Sequence, residues 1–402
     1  MSARIVNRLG SFGMGFLGVR LAGDLGADLG LVGWVLTVFG ACTIPSRILG
    51  GLLANRFGAR TALVIGLLSC AAAQILIALG TSVPVVIVGA VTLGLAYEII
   101  EPATQAVVAD AVPPRRRASS YSLLWAAMAV AGVAAGVLAA VLTRWGIATL
   151  FVADAATSLV AAAVVAFLLP HVRAQAPSSP WRAAASGRLL AWTVVGCVYA
   201  TLMMVVVFML PLAVEASGRP QSTTGWVLAV AAAAAILAQR LVARCEDRIA
   251  PAGLLALGYV VLALGLCLWA WGTLPGLVVG AAFEGASGSF LLGTQQAIAS
   301  RMAPPGGAAT VMTIYGLSWG VGTVGAPLFG TALLQIGTAP LWLTCSGVAA
   351  ALAVGHGVPA LRATVQGKEI GRFPAGGPIW APHRASAASL VSQIRNGVRR
   401  QS

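Results

Sequence analysis

The hexapeptide GWVLTV at Gly33–Val38 recurs almost unchanged as GWVLAV at Gly225–Val230, 192 positions further along the chain. A second pair of stretches matches at nearly the same spacing: TQAVVADAVPP (104–114) and QQAIASRMAPP (295–305) both end in two prolines. Separate matches at one spacing indicate that the chain consists of two related halves. Its 402 residues leave room for both.

The composition is that of a membrane protein. Hydrophobic residues make up 59% of the chain and charged residues only 9%, against about 25% charged residues in an average soluble protein. A helix needs about 20 apolar residues to cross a bilayer. We therefore predict an all-α integral membrane protein with twelve transmembrane helices in two six-helix repeats. The predicted spans are 5–22, 31–54, 61–79, 84–111, 119–143, 147–169, 187–213, 223–244, 251–271, 275–301, 308–334 and 340–358.

The basic residues are distributed unevenly between the loops. The formal net charge is +14, and every basic residue except Lys368 is an arginine. One set of alternate loops and span ends carries most arginines, whereas the other set carries only Arg20, Arg144 and Arg219. Loops rich in Lys and Arg stay in the cytoplasm. We therefore predict that both termini are cytoplasmic and that the positive charge reflects topology rather than nucleic-acid binding.

The repeat also predicts the domain organisation. Residues 1–170 should form an N-terminal six-helix half, 171–186 a cytoplasmic central loop, and 187–361 a C-terminal six-helix half. Residues 362–402 contain no apolar span, and we expect a disordered, basic cytoplasmic tail there. Transporters are commonly built from such repeats, with the substrate site near the bilayer midplane between them.

The loop after the second predicted span carries a signature. GGLLANRFGAR (Gly50–Arg60) is similar to G-x-L-A-D-R-x-G-R-R, which marks the major facilitator superfamily, except that Asn55 replaces the aspartate and Ala59 an arginine. A weaker second copy keeps Asp247 and Arg248. Twelve spans in two repeats also resemble this family. The resemblance covers residues 5–358 and implies a secondary transporter.

The resemblance implies a gating role for this loop. In the family, the loop locks the cytoplasmic side while the cavity faces outward. The residues that would carry this role here are Gly51, Asn55, Arg56, Gly58 and Arg60, with Asp110 at the end of span four as the partner of Arg56 or Arg60. The alternative is that these arginines only anchor a cytoplasmic loop.

Span five resembles the bacterial drug:proton antiporter branch of the family in its glycine spacing. That branch carries G-x-x-x-G-P-x-x-G, and this chain has GVAAGVLAA from Gly132, with Val137 in place of the proline. The spacing permits close helix packing. The missing proline predicts a helix without the kink.

Span four contains two carboxylates near its middle. Glu98 and Glu101 are three residues apart, which would place them on one face of a helix. Ionisable residues at this depth normally face the bundle interior or a wet cavity, and two such carboxyl groups titrate as a unit. Pro102 cannot donate to the carbonyl of Glu98, so the helix should loosen there. We predict that the pair accepts protons during transport; the alternative is a fixed ion pair with Arg47.

Further candidates for the substrate and proton site lie in other spans. They are Glu284 in span ten, Tyr199 in span seven, and Gln105 and Gln296, which coincide in the repeat. The resemblance places spans one, four, seven and ten around the cavity. Carboxylates and aromatic rings are available there, whereas basic residues are almost absent at central depth. This balance favours a neutral or cationic amphiphilic substrate over an anion.

The sequence therefore predicts a secondary active transporter in the plasma (inner) membrane that exports a small lipophilic compound in exchange for protons by alternating access. Import or facilitated passage of a neutral metabolite is the nearest alternative, and a sensor that transports nothing is another. No catalytic constellation, metal cluster or cofactor motif is present in the sequence, so we predict neither an enzyme nor a cofactor. The expected partners are the substrate, protons and the lipid bilayer, and the expected state is a monomer.

Overall fold

The computed structural model describes residues 6–8, 13–101, 103–104, 107, 117–169, 186–245, 248–303 and 308–365. Regular secondary structure within these ranges is entirely helical. By length and composition, ten of the described helices can cross a membrane, and α4 is a shorter apolar helix. The prediction of an all-α membrane fold is confirmed.

The described helices follow the predicted spans closely. α1 is the shortest and continues into one π-helical turn. The bounds are Gly13–Val19 for α1 with its turn at Arg20–Asp24, Leu29–Phe57 for α2, Ala59–Leu79 for α3, Val83–Tyr97 for α4, Arg117–Leu142 for α5, Ala148–Leu168 for α6, Gly187–Ala216 for α7, Ser222–Cys245 for α8, Pro251–Ala270 for α9, Leu274–Ser300 for α10, Ala308–Ile336 for α11 and Thr338–Val365 for α12.

Span four is interrupted where the sequence predicted a loosened helix, next to Glu98. α4 ends at Tyr97, a turn covers Glu98 and Ile99, and helical residues resume at Ile100. Pro102 lies outside the described residues, but a proline at this position supplies no N–H to the carbonyl of Glu98, which accounts for a break just before it. Glu98 therefore lies within the turn and Glu101 in the helical segment after it, and the two are not on one unbroken helical face.

The helices pack in a pattern that recurs six helices later. In the first set, α2 packs on α4, and α3 packs on α4 and α6. In the second set, α8 packs on α10, and α9 packs on α10 and α12. The two sets meet where α1 contacts α7, α2 contacts α11 and α5 contacts α8. The predicted central loop and tail lie largely outside the described residues, so the domain boundaries stay predictions.

Glycines bring the two sets of helices together backbone to backbone. A Cβ on Gly136 in α5 would lie 2.5 Å from the main-chain nitrogen of Ala229 in α8. A Cβ on Gly40 in α2 would lie 2.5 Å from the carbonyl oxygen of Thr323 in α11. Small residues allow such approaches between membrane helices, where packing rather than the hydrophobic effect drives association.

Two of these crossings place a glycine against a carbonyl that lacks its helical donor. Pro211 in α7 and Pro327 in α11 lie inside their helices and supply no N–H to the carbonyls of Val207 and Thr323. Thr323 is the residue whose oxygen faces α2. At the α1–α7 crossing, a Cβ on Gly15 would lie 3.2 Å from the oxygen of Val207. At the α1–α7 and α2–α11 crossings, a glycine of the first set of helices therefore faces a main-chain oxygen of the second set.

The turn between α2 and α3 depends on Gly58. Its φ of 86° and ψ of 154° lie in a region of backbone conformation that is essentially restricted to glycine. We expect Gly58→Ala to lower the free energy of unfolding by about 1–3 kcal/mol, seen as a lower thermal midpoint of the purified protein in detergent. Gly51→Ala is the matched control, because Gly51 is helical and a Cβ there meets nothing within 4 Å. An equal loss in both variants would contradict the role of the φ angle.

Candidate functional site

The structure brings two of the predicted site residues, Arg47 and Glu98, into contact. Nε of Arg47 in α2 lies 3.8 Å from Oε2 of Glu98, and the two side chains are 33% and 27% exposed. The N–H of Glu98 donates to Oγ of the buried Ser46 at 3.0 Å. The turn that ends α4 is therefore held against α2 by an ion pair between two side chains and by a hydrogen bond from a main-chain N–H to a serine hydroxyl.

Arg47 also reaches the second set of helices. Its Nη1 donates to the carbonyl oxygen of Gly316 in α11 over 3.5 Å, a long hydrogen bond. The three atoms nearest to the position of a Cβ on Gly316 all belong to the Arg47 guanidinium, at 3.7–3.9 Å. The guanidinium thus lies between a carboxylate of the first set and a main-chain carbonyl of the second.

The remaining residues predicted near Glu98 are only partly within the described chain. Glu101 is half-buried in the helical segment after the turn. Pro102, Gln105 and Asp110 lie outside the described residues. Their predicted roles in the kink, the substrate site and the gate stay predictions.

The signature loop between α2 and α3 is exposed at its centre. The guanidinium carbon of Arg56 lies 5.4 Å from the centroid of the Phe57 ring. Arg60 donates from Nη2 to the carbonyl oxygen of Ala166 at the end of α6. The side chain of Asn55 lies outside the described part of the chain, as does Asp110, so the predicted gating pair stays a prediction.

Glu284 and Tyr199 both belong to the second set of helices. Glu284 is half-buried in α10, and Tyr199 in α7 is only 3% exposed. The Tyr199 ring packs edge-on against Tyr259, with centroids 6.3 Å apart, and against Trp319, with centroids 6.0 Å apart. The structure therefore gathers an acidic side chain and several aromatic rings within the second set of helices.

Gln295, rather than the predicted Gln296, is the glutamine at the centre of a hydrogen-bond network. Gln295 is fully buried, its Nε2 donates to the hydroxyl of Tyr259 at 3.1 Å, and its Oε1 accepts from the hydroxyl of Tyr315. The indole of Trp192 donates to its main-chain oxygen at 3.2 Å. The network links α7, α9, α10 and α11. The repeat pointed to position 296 because that residue aligns with Gln105, and the predicted role of Gln296 in the substrate site stays a prediction.

The network predicts unequal effects for two neighbouring substitutions. We expect Gln295→Leu to lower the free energy of unfolding by about 1–3 kcal/mol, because it deprives two buried tyrosine hydroxyls of their partner. Gln296→Leu should change stability much less, since Gln296 is only half-buried. Thermal unfolding of the two purified variants measures the difference. A larger loss for Gln296→Leu would show that the network does not stabilise the helices.

The described residues form no candidate metal site. No group of three or more His, Cys, Asp or Glu side chains in that part of the chain could hold a metal ion. The six cysteines are free thiols.

The described helices define a multi-pass membrane protein. A profile of the Major Facilitator Superfamily matches residues 1–218 and 191–396, and the chain belongs to this superfamily. Membership makes the protein a transporter of small molecules and not an enzyme. It also confirms the family resemblance that the signature loop and the repeat predicted.

Sequence relatives include the multidrug resistance protein MdtH. MdtH of Yersinia pestis (strain Pestoides F) is 26% identical over 238 residues, which cover 58% of this chain and 59% of MdtH. MdtH of Yersinia pseudotuberculosis serotype O:1b (strain IP 31758) gives the same values. The aligned part of the chain thus spans only about 59% of the length of these relatives.

Solved transporter structures share the fold. The crystal structure of the nucleoside transporter NupG has a TM-score of 0.70 and 15% identity, over 89% of this chain and 99% of that one. A POT family transporter in complex with 5-aminolevulinic acid has a TM-score of 0.73 and 11% identity, over 90% and 95% of the two chains. At such low identity, the similarity concerns the fold alone.

Proposed function

We propose that this protein exports a small lipophilic neutral or cationic compound by proton-coupled alternating access. The observation that carries the proposal is the Glu98 carboxylate at the break in α4, paired with Arg47 beside the α2–α11 crossing. A carboxylate inside a membrane domain costs roughly 2.5–3.5 kcal/mol on insertion scales. Such residues commonly mark proton and substrate pathways in transporters.

The position of Glu98 suits a proton acceptor. Its side chain is 27% exposed, so the carboxylate is not sealed inside the protein. Glu98 lies in the turn that ends α4, and Glu101 lies three residues later, in the helical segment that follows this turn. Glu101 is therefore included in the proposed proton site, with Arg47 as the countercharge.

The proposed substrate class rests on the side chains available. Glu98, Glu101 and Glu284 supply carboxyl groups, and the half-buried Trp319, which packs against the buried Tyr199, supplies aromatic surface in the second set of helices. A cationic or neutral amphiphile is complementary to such groups, because cations are attracted to carboxylates and to aromatic faces. The sequence relatives are multidrug resistance proteins by name, which supports the same substrate class.

Import or facilitated passage of a neutral metabolite is the second candidate. The structures that share the fold include nucleoside and peptide transporters. The two candidates differ in proton coupling and in the direction of transport.

The proposal includes an orientation in the membrane. We place the protein in the inner membrane with both termini in the cytoplasm, because one alternate set of the predicted loops and span ends carries most of the arginines and such loops stay in the cytoplasm. We also propose that the halves are 1–170 and 187–361, joined by the loop 171–186, with residues 362–402 as a cytoplasmic tail, and that the protein functions as a monomer.

The test is transport by the purified protein in liposomes that contain a pH-sensitive dye. A proton gradient is imposed, and tetraphenylphosphonium, ethidium and a panel of neutral compounds are added one at a time. We expect at least one cation or neutral compound to evoke proton flux, and a protonophore to abolish its uphill movement. Movement of substrate without proton flux would favour the facilitator, and faster transport of an organic anion than of any cation would contradict the substrate class.

A further inference from the structure

Arg47 contacts both sets of helices, and its two contacts differ in chemistry. Towards α4 it meets the carboxylate of Glu98, which a proton can neutralise. Towards α11 it meets the main-chain carbonyl of Gly316, which keeps its partial charge at any pH. A change at Glu98 therefore alters one of the two contacts directly and the other only through the arginine.

We propose that Arg47 is a positioning residue that couples the charge on Glu98 to the contact between α2 and α11. The inference rests on the proposed proton-coupled function and adds the step by which a proton on one set of helices is sensed by the other. When Glu98 is ionised, its carboxylate holds the guanidinium. When Glu98 is protonated, that attraction is lost and the guanidinium is drawn to the carbonyl of Gly316, which strengthens the α2–α11 contact.

The surface of α11 leaves room for this movement. Gly316 presents no side chain, and the guanidinium already lies over its backbone. One turn later, a Cβ on Gly320 would lie 3.3 Å from Cγ1 of Ile44 in α2. Two glycines one turn apart, Gly316 and Gly320, therefore lie on the side of α11 that faces α2. At Gly316 no side chain separates the main chain of α11 from the guanidinium of Arg47, which has donors on several nitrogens.

The helices packed on α2 carry further charged or titratable side chains within the described residues. They include Tyr97 and Glu101 close to Glu98, Arg60 and Cys70 in α3, and Tyr315 next to Gly316 in α11. α2 itself also carries Cys42 and Arg56, with Asp28 as its N-cap. Arg60 donates from Nη2 to the carbonyl oxygen of Ala166, and the hydroxyl of Tyr315 donates to Gln295.

The test is the distance between the two sets of helices as a function of pH, without substrate. Spin labels are placed at Leu168→Cys in α6 and Leu241→Cys in α8, which are exposed positions near the same end of the bundle, after the six native cysteines are replaced. Double electron–electron resonance is recorded between pH 5.5 and 8.5. Wild type should show a pH-dependent shift of the distance distribution. Glu98→Gln should fix the distribution in its low-pH form, and Arg47→Gln should abolish the pH dependence.

The matched control is Arg240→Gln, which removes one exposed arginine from α8, the counterpart of α2 in the repeat; the shift should persist there. Gly316→Val tests the same contact from α11, because a larger side chain displaces the guanidinium and leaves the Arg47–Glu98 pair. Gly316→Val should also lose the pH-dependent shift, and it is the variant to use if Arg47→Gln is not monodisperse. Absence of a shift in wild type, or its persistence in Glu98→Gln, Arg47→Gln or Gly316→Val, would overturn the inference.

The failure of this inference can be told from failure of the proposed function. If liposomes show no proton coupling but the shift still requires both residues, the proposed function fails and the role of Arg47 stands. If proton-coupled export occurs but the shift survives in Arg47→Gln, the role of Arg47 fails and the function stands.

Discussion

Replacement of Glu98 by Gln is expected to abolish substrate-dependent proton flux in liposomes and to leave thermal stability close to wild type. Glutamine keeps the shape of the side chain and can still hydrogen-bond, but it cannot take up a proton. Arg47 keeps the Gly316 carbonyl as an acceptor, so its charge is not left without a partner. The pair is also partly exposed, which limits the energetic cost of losing one member.

The measurement compares proton flux and thermal midpoint for the same preparations. Asp24→Asn is the matched control, because it removes a carboxylate and its 2.6 Å ion pair with Arg20 near the opposite end of the bundle; its flux should be normal. Unchanged flux together with a large loss of stability in Glu98→Gln would make the Arg47–Glu98 pair structural, as the alternative from the sequence held. The search for the proton site would then move to Glu101 and Glu284.

Substitution of Gly136 by Val should lower the free energy of unfolding by about 1–3 kcal/mol or more, the usual cost of overpacking, and should abolish transport. The main-chain nitrogen and Cα of Ala229 lie 2.5 and 2.8 Å from the position of a Cβ on Gly136. Backbone atoms cannot rotate away, so α5 and α8 must separate. This crossing joins the two sets of helices, and its separation should disturb their relative movement as well as their stability.

Gly132→Ala provides the control one turn earlier on the same helix. A Cβ on Gly132 would lie 3.7 Å from the Cβ of Ala232, an ordinary contact, so thermal midpoint and transport should both remain near wild type. Thermal unfolding and liposome transport are measured for both variants. If Gly136→Val is as stable and active as Gly132→Ala, close approach of α5 and α8 is not required.

The helices could be predicted from sequence because membrane spans are set by apolar length. α9 occupies 251–270 against a predicted 251–271, and α3 occupies 59–79 against 61–79. Span four could not be predicted as well. The missing N–H of Pro102 predicted a loosened helix at Glu98, but hydropathy treats the region as one apolar run and did not show that α4 ends at Tyr97.

The candidate site was predicted only as a set of alternatives. The sequence showed that Arg47 and the two glutamates could meet, but the choice of Glu98 depends on how α2 packs against the turn after α4. The contact with Gly316 joins residues 269 positions apart and leaves no trace in composition or spacing. Gln295 was passed over for its neighbour because the repeat aligns chain positions, whereas burial depends on which side of α10 faces α9 and α11.

The prolines of α7 and α11 determine what kind of contact joins the two sets of helices at the α1–α7 and α2–α11 crossings. At each crossing a glycine of one set rests on a carbonyl oxygen whose helical donor is missing. Contacts of a glycine Cα–H with such an oxygen are worth only about 0.5–1 kcal/mol. In the proposed alternating-access movement, we expect one set of helices to roll over the other at these crossings without rupturing a strong bond, and the rate of each turnover to be governed by polar contacts elsewhere.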